Sequence, residues 1–234
     1  MAAERYLAMT ASEFAAFGPS PGKTAWMACH FSPYGTGLSN LPAALPEGAM
    51  LVLNDRIPYC GHDWGRITAQ LTQAVEIWKC AALLLDFQQP GRSELFSLAA
   101  HLSSSLPCPV AVSDVYAENP ACAVFLSPCP HHTPLREYIT PWQGRELWLD
   151  LAVDAETIIL TKDGASILPL PLGEIPVGGH RDERLHCHYS IENTQDSARF
   201  TLWRTREDLE NLAQEAEELG ITTLVGLYQE LKPK

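Results

Sequence analysis

The stretch from Cys80 to Pro90, CAALLLDFQQP, constrains the fold more than any other part of the chain. Its apolar residues run unbroken into Asp86-Phe87-Gln88, and Pro90-Gly91 stops the run. A short, wholly apolar segment closed by turn residues reads as a strand covered on both faces, the condition of strands in parallel sheets. Alternate residues of a strand share a face, so Leu84, Asp86 and Gln88 point the same way. A carboxylate and an amide therefore stand at the carboxyl end of a buried strand, where α/β folds place their ligands.

The rest of the chain repeats the pattern. Apolar runs at 24–31, 49–53, 81–87, 107–112, 121–126, 146–151 and 222–228 read as strands, most of them ending in polar or turn residues. Helical signals lie between them. Thr10-Ala11-Ser12-Glu13 fits a capping box, with Met9 and Phe14 available as a staple. Asp63 caps a helix whose Ile67, Leu71, Val75 and Trp78 recur at helical spacing. Ser93 is expected to cap another, with Leu95, Leu98, Ala99 and Leu102 on its inner face. Pro134 opens a short helix. Thr205 with Asp208 opens the last one, and Gly220 stops it.

Two places depart from the alternation. The connection between 107–112 and 121–126 is too short for a full crossover helix, so it is a bare turn or one strand is misassigned. Lys162-Asp163-Gly164 between two apolar runs signals a hairpin, and 185–191 with 198–203 forms a second hairpin or one long irregular strand. Seven or eight buried strands alternating with helices favour an α/β fold, a compact and irregular (β/α)8 barrel of TIM type. It carries a β-hairpin insertion near 156–170 and spans 1–234 as a single domain. An open doubly wound parallel sheet is the alternative.

The chain's 234 residues are 46% hydrophobic and 19% charged, ordinary for a globular protein with a large core. A formal net charge of -12 repels phosphate backbones and anionic membrane surfaces, so neither nucleic acid nor membrane is an expected partner. Seven cysteines cannot all pair internally, and no signal-peptide pattern opens the chain. A cytoplasmic, reduced protein is expected. No G-x-G-x-x-G or Walker A sequence follows a strand, so no cofactor is implied. The oligomeric state stays open.

Polar residues gather where apolar runs end. His30, Ser32 and Tyr34 follow the first run; Asn54, Asp55 and Arg56 the second; Asp86 and Gln88 the third. Ser113, Asp114 and Tyr116 follow the fourth, and Ser127, Cys129, His131 and His132 the fifth. Asp150 closes the sixth, and Tyr228 and Gln229 the last. In a barrel such tips converge on one rim. A buried carboxylate needs a partner, and Arg56 on the neighbouring strand end is the candidate for Asp86.

A short apolar strand ending Asp-x-amide resembles the signature of the family 18 glycoside hydrolases, the chitinase-like barrels, whose strand reads D-G-x-D-x-D-x-E. Asp86 matches the last Asp, and Gln88 falls on the Glu. Leu84 falls on the middle Asp, and Ala81 and Ala82 on the opening Asp-Gly. In that family the Glu is the general acid and the Asp orients the substrate's acetamido group, which acts as nucleophile. Gln cannot deliver a proton. The resemblance thus implies a barrel that binds a carbohydrate or small polar ligand, with catalysis lost or altered, or with an acid supplied by Asp114 or Asp150. Asp86, Asp114 and Asp150 are the catalytic candidates. Tyr34, Asn54, Arg56, Gln88, Tyr116 and Tyr228 are the substrate-binding candidates. Tyr34, Trp142 and Tyr228 are the aromatic platforms on offer, although core packing suits Trp142 better.

Two other chemistries compete. On a strand, His186 and His188 would face one side as a metal-ligand pair, for a metal-dependent hydrolase, completed by His30, His62 or His131 with Asp63. No C-x-x-C or H-E-x-x-H accompanies them, and surface histidines on a hairpin are the plainer reading. Cys60 beside His62, and Cys129 beside His131, suggest a thiol nucleophile, but proximity in sequence is weak evidence for such pairs. A non-catalytic binding or interaction protein is the remaining class.

Overall fold

The structure, a computed structural model, describes residues 2–19, 23–61 and 63–231. It contains strands β1 (Glu4–Met9), β2 (Lys23–Phe31), β3 (Leu38–Ser39), β4 (Met50–Asn54), β5 (Ala82–Asp86), β6 (Val110–Ser113) and β7 (Ala123–Leu126). They continue as β8 (Leu147–Leu151), β9 (Ala155–Thr161), β10 (Gly164–Pro169), β11 (His180–Asp182), β12 (Cys187–Asn193), β13 (Ser197–Trp203) and β14 (Thr223–Leu227). The helices are α1 (Ala11–Phe17), α2 (Trp64–Trp78), α3 (Ser93–Ser105), α4 (Leu135–Tyr138), α5 (Arg206–Glu218) and α6 (Tyr228–Leu231).

The chain divides into two compact units. One takes the chain up to Ser127, then Gly144–Asp150 and the segment from Ile221 on; the other takes Pro128–Gln143 and Leu151–Gly220. In the first unit eight strands run in the order β1-β14-β8-β7-β6-β5-β4-β2, and β2 pairs with β1 to close the ring. The ring is a closed barrel of eight parallel strands with helices between them. The expected barrel is therefore present, and the open-sheet alternative is not.

Period-two alternation explains why these runs close. Tyr6, Met50, Val52, Ala82, Leu84, Phe125 and Trp148 form one cluster that includes no helix residue, which is the barrel interior. Their strand neighbours Leu51, Leu53, Leu83, Leu85, Val110 and Val112 cluster with Ile67 and Leu71 of α2 and Leu95 and Leu98 of α3. β4, β5 and β6 are therefore apolar on both faces, one inward and one beneath a helix. Trp148 satisfies its indole by donating to Glu146 Oε1 at 3.1 Å, which leaves the ring free to fill the interior.

The local signals are mostly borne out. Thr10 and Glu13 make the reciprocal capping box of α1, Asp63 caps α2 through the Arg66 amide, and Thr205 with Asp208 caps α5. Ser93 does not cap α3: the helix begins at Ser93 itself, and Arg92 occupies the cap without a side-chain bond. The short connection between β6 and β7 is a turn of 3-10 helix at Asp114–Tyr116, and both strands are real. β1 was not signalled by the sequence, because ERYLAM opens on two charged residues and only its last residues are apolar. The hairpin near 156–170 is β9 paired with β10, and the second hairpin is β12 paired with β13. Together with β11 they form a five-stranded antiparallel sheet, ordered β10-β9-β13-β12-β11, in the second unit.

Candidate functional site

Asp86 has inward parity. Ala82 and Leu84 lie inside the barrel and Leu83 and Leu85 outside, so the next inward position is Asp86, at the carboxyl end of β5. Met50 and Val52 place Asn54 the same way on β4. The registers align them: His30 pairs with Asn54 across β2 and β4, and Asn54 with Asp86 across β4 and β5. Three polar residues from adjacent strands thus form one row at the mouth. Around this row lies a cavity of about 600 Å³, lined by Thr10, Met27, Ala28, His30, Asn40, Asn54, Asp55, Arg56, Ile57, Asp86 and Gln88.

The Asp86–Gln88 pair is in contact. Gln88 Nε2 donates to Asp86 Oδ1 at 2.6 Å. The expected ion pair with Arg56 is not made among the described residues; the amide two positions on takes its place, because alternate residues share a face. Burial pushes the Asp86 carboxyl up, the Gln88 bond opposes this, and the charges of Asp55 and Asp114 add to the rise.

Asp55 is the residue that sequence reading left without a role. It is 3% exposed, its Oδ1 accepts from the Gln88 amide at 3.0 Å, and its Oδ2 accepts from the Gln89 amide at 2.8 Å. Gln89 returns a bond from Nε2 to the Asp55 carbonyl at 2.8 Å. Asn54 is braced as well: its amide donates to the Met27 carbonyl at 2.9 Å and accepts from the Arg56 N–H at 3.2 Å. The segments after β4 and β5 are cross-linked through backbone groups, so the wall that carries Asp86, Gln88 and Arg56 is held in place. The only sequence signal for this was the apolar-to-polar switch at Asn54-Asp55, which does not say which side chain turns inward.

The other candidates lie elsewhere. Tyr116 is 4% exposed; its hydroxyl donates to the Gln89 carbonyl and its ring packs edge-on against Phe87, so it supports the loop rather than facing the cavity. Tyr34 stands 86% exposed on the loop after β2. Tyr228 packs against Phe17 at 5.6 Å. Asp114, in the turn after β6, acts on the charge of Asp86 without lining the cavity. Asp150 shares the inward parity of Trp148 on β8 but does not line the cavity either.

The histidine pair is not a ligand pair. His186 sits in a left-handed turn (φ 46°) before β12, and only His188 is on the strand. His186 Nε2 lies 2.7 Å from Glu215 Oε2, whereas His188 Nδ1 lies 2.9 Å from Asp208 Oδ2 and its ring stacks on Trp203. No cluster of three or more His, Cys, Asp or Glu suited to a metal occurs among the described residues; His62 lies outside them. His131 is 2% exposed and held by Asp154 and Glu156. The neighbouring Cys129 donates to the Thr133 carbonyl at 3.3 Å, and burial pushes its thiol up to about 11, the opposite of an activated nucleophile. No helix among the described residues is long and apolar enough to cross a membrane.

Solved structures share this architecture. A family 18 chitinase from Cycas revoluta, in complex with (GlcNAc)3, superposes with a TM-score of 0.59 at 10% identity, covering 96% of this chain and 94% of its own. The spore cortex-lytic enzyme SleL of Bacillus cereus gives 0.57 at 10% identity, covering 96% and 70%. A chitinase from Chromobacterium violaceum gives 0.55 at 9% identity, covering 96% and 93%. The fold is that of the family 18 glycoside hydrolases. No family model matches the chain, and no curated protein does. A family 18 type barrel at this identity is a likeness of fold, and the site has to be judged on its own residues.

Proposed function

We propose that this glycoside hydrolase-like barrel binds a carbohydrate, or a comparable small polar ligand, in the cavity at the mouth of β4 and β5, without the usual protonation step. The observation that carries this reading is the Asp86–Gln88 pair. It stands at the strand end where the resemblance puts the orienting Asp and the general acid, and the second member is an amide. Gln88 holds Asp86 by donating to it, but has no proton to pass to a leaving group. Asp114 and Asp150 lie outside the cavity lining and do not replace the acid there. The result is a receptor for polar groups with hydrolysis lost or altered.

Calorimetric titration with chito-oligosaccharides tests it. Binding that disappears in Asp86→Ala, with unchanged circular dichroism, is expected. Binding that survives the substitution would place the ligand elsewhere, and absence of binding to any glycan would leave a non-saccharide partner as the function.

A further inference from the structure

The mouth cavity holds more information about its ligand than the Asp86–Gln88 pair. Its walls are fixed by bonds that consume particular atoms and leave others free. Both carboxylate oxygens of Asp55 are taken by the Gln88 and Gln89 amides. Asn54 uses its oxygen on Arg56 N–H and its amide on Met27. His30 Nδ1 meets the Phe31 carbonyl at 2.8 Å, so that nitrogen carries the proton, and Nε2 accepts from Asn40 Nδ2 at 3.1 Å.

Of the side chains that line the cavity, Asp86 Oδ2, Gln88 Oε1 and Asn40 Oδ1, all acceptors, and the guanidinium of Arg56 have no hydrogen-bond partner among the described residues. Among the described residues Arg56 makes no ion pair, although Asp86 and Asp55 line the same cavity. A ligand matching this set donates to several acceptors and brings one anionic group for a guanidinium fork. Sugar hydroxyls and amide N–H groups supply the donors. A neutral sugar leaves the arginine without its match.

We propose that the ligand is an acidic saccharide, with a carboxylate on the sugar received by Arg56 while its hydroxyl or amide donors meet Asp86 and Gln88. This rests on the carbohydrate reading above and narrows it to a charged class. Arg56 is a binding and specificity residue in this assignment, not a catalytic one.

A pair of probes that differ only in charge tests it. The disaccharide of N-acetylglucosamine and N-acetylmuramic acid carries one carboxylate, and its carboxamide carries none. Titration of the full chain should give roughly tenfold tighter binding of the acid than of the amide, the scale of a charge-assisted bond. In Arg56→Met the ratio of the two affinities should fall to about one, and in Arg56→Lys it should be partly retained. Equal affinities in the native chain, or a preference that persists in Arg56→Met, would overturn the acidic class while leaving the carbohydrate site standing. Failure of both probes and of chito-oligosaccharides to bind would overturn the two readings together.

Discussion

At the scale of single residues, the site shows how a carboxylate is kept at a strand end. Asp86 is half-buried, with one amide partner, and burial raises its ionisation above the ordinary carboxylate value. A raised folded-state value means that its contribution to stability is largest below the ordinary value, and is lost as pH rises through the folded one. Asp86→Asn should therefore melt higher than the native chain at neutral pH, with the gap closing on acidification; a pH series of thermal midpoints checks this, and a constant gap would contradict it. Asp55 is a structural brace. Its charge is satisfied by two backbone N–H groups, and Asp55→Ala would strand both. A loss of roughly 2–4 kcal/mol in urea unfolding is expected, with weaker glycan binding because the Gln88 segment loosens. On the proposed reading, Gln88→Glu puts a proton donor where the family resemblance has its general acid. Measurable hydrolysis of a chromogenic chito-oligosaccharide should appear, and a silent variant would count against reading position 88 as the place of a general acid.

At the scale of elements, short polar signals decide where helices begin and apolar parity decides which way strands face. Thr10 and Glu13 bond each other's backbone amides across the first turn of α1. Thr10→Ala should cost about 1 kcal/mol by chemical denaturation, and Thr10→Ser much less. In the second unit, Arg204 is 2% exposed and donates to the carbonyls of Cys129, Pro130, Leu185 and His186. It joins the segment before α4 to the turn before β12 through groups that have no periodic signal. Nothing in the sequence distinguished this arginine from a surface one. The histidines fail as a metal pair for a similar reason: one residue in a left-handed turn breaks the period-two rule on which the expectation stood.

At the scale of the whole chain, a barrel with few helices holds in part because β4, β5 and β6 are apolar on both faces. Trp148 is the largest side chain of the interior, at 2% exposure, and Trp148→Ala should cost roughly 3–5 kcal/mol as the interior loses its filling. The second unit depends on pH instead. For Glu156, burial works against the charge, yet the bonds from His131 and His132 bring the value below 4.5; for His131, burial lowers the value, yet Asp154 and Glu156 raise it above 6.5. The Glu156 contribution is complete above 4.5 and lost on acidification, and that of His131 is complete below 6.5 and lost as pH rises. Amide protection in β9 and β13, corrected for intrinsic exchange, should therefore be greatest between these values, and His131→Gln should flatten its alkaline side.

The strand at Ala82–Asp86, the parity of Asp86, the caps at Thr10, Asp63 and Thr205, and the barrel itself were all determined by the sequence, because each follows from contacts between residues near in the chain or from the period of apolar positions. The neighbours of Asp86 were decided only by the tertiary structure. Gln88 replaced Arg56 as its partner, Asp55 became the brace, and Tyr116, Tyr34 and Tyr228 fell away from the cavity. The physical reason is that strand alternation sets which way a side chain points, whereas closing eight strands into a ring sets what stands opposite it, and that register is made by pairings across 24 to 32 residues.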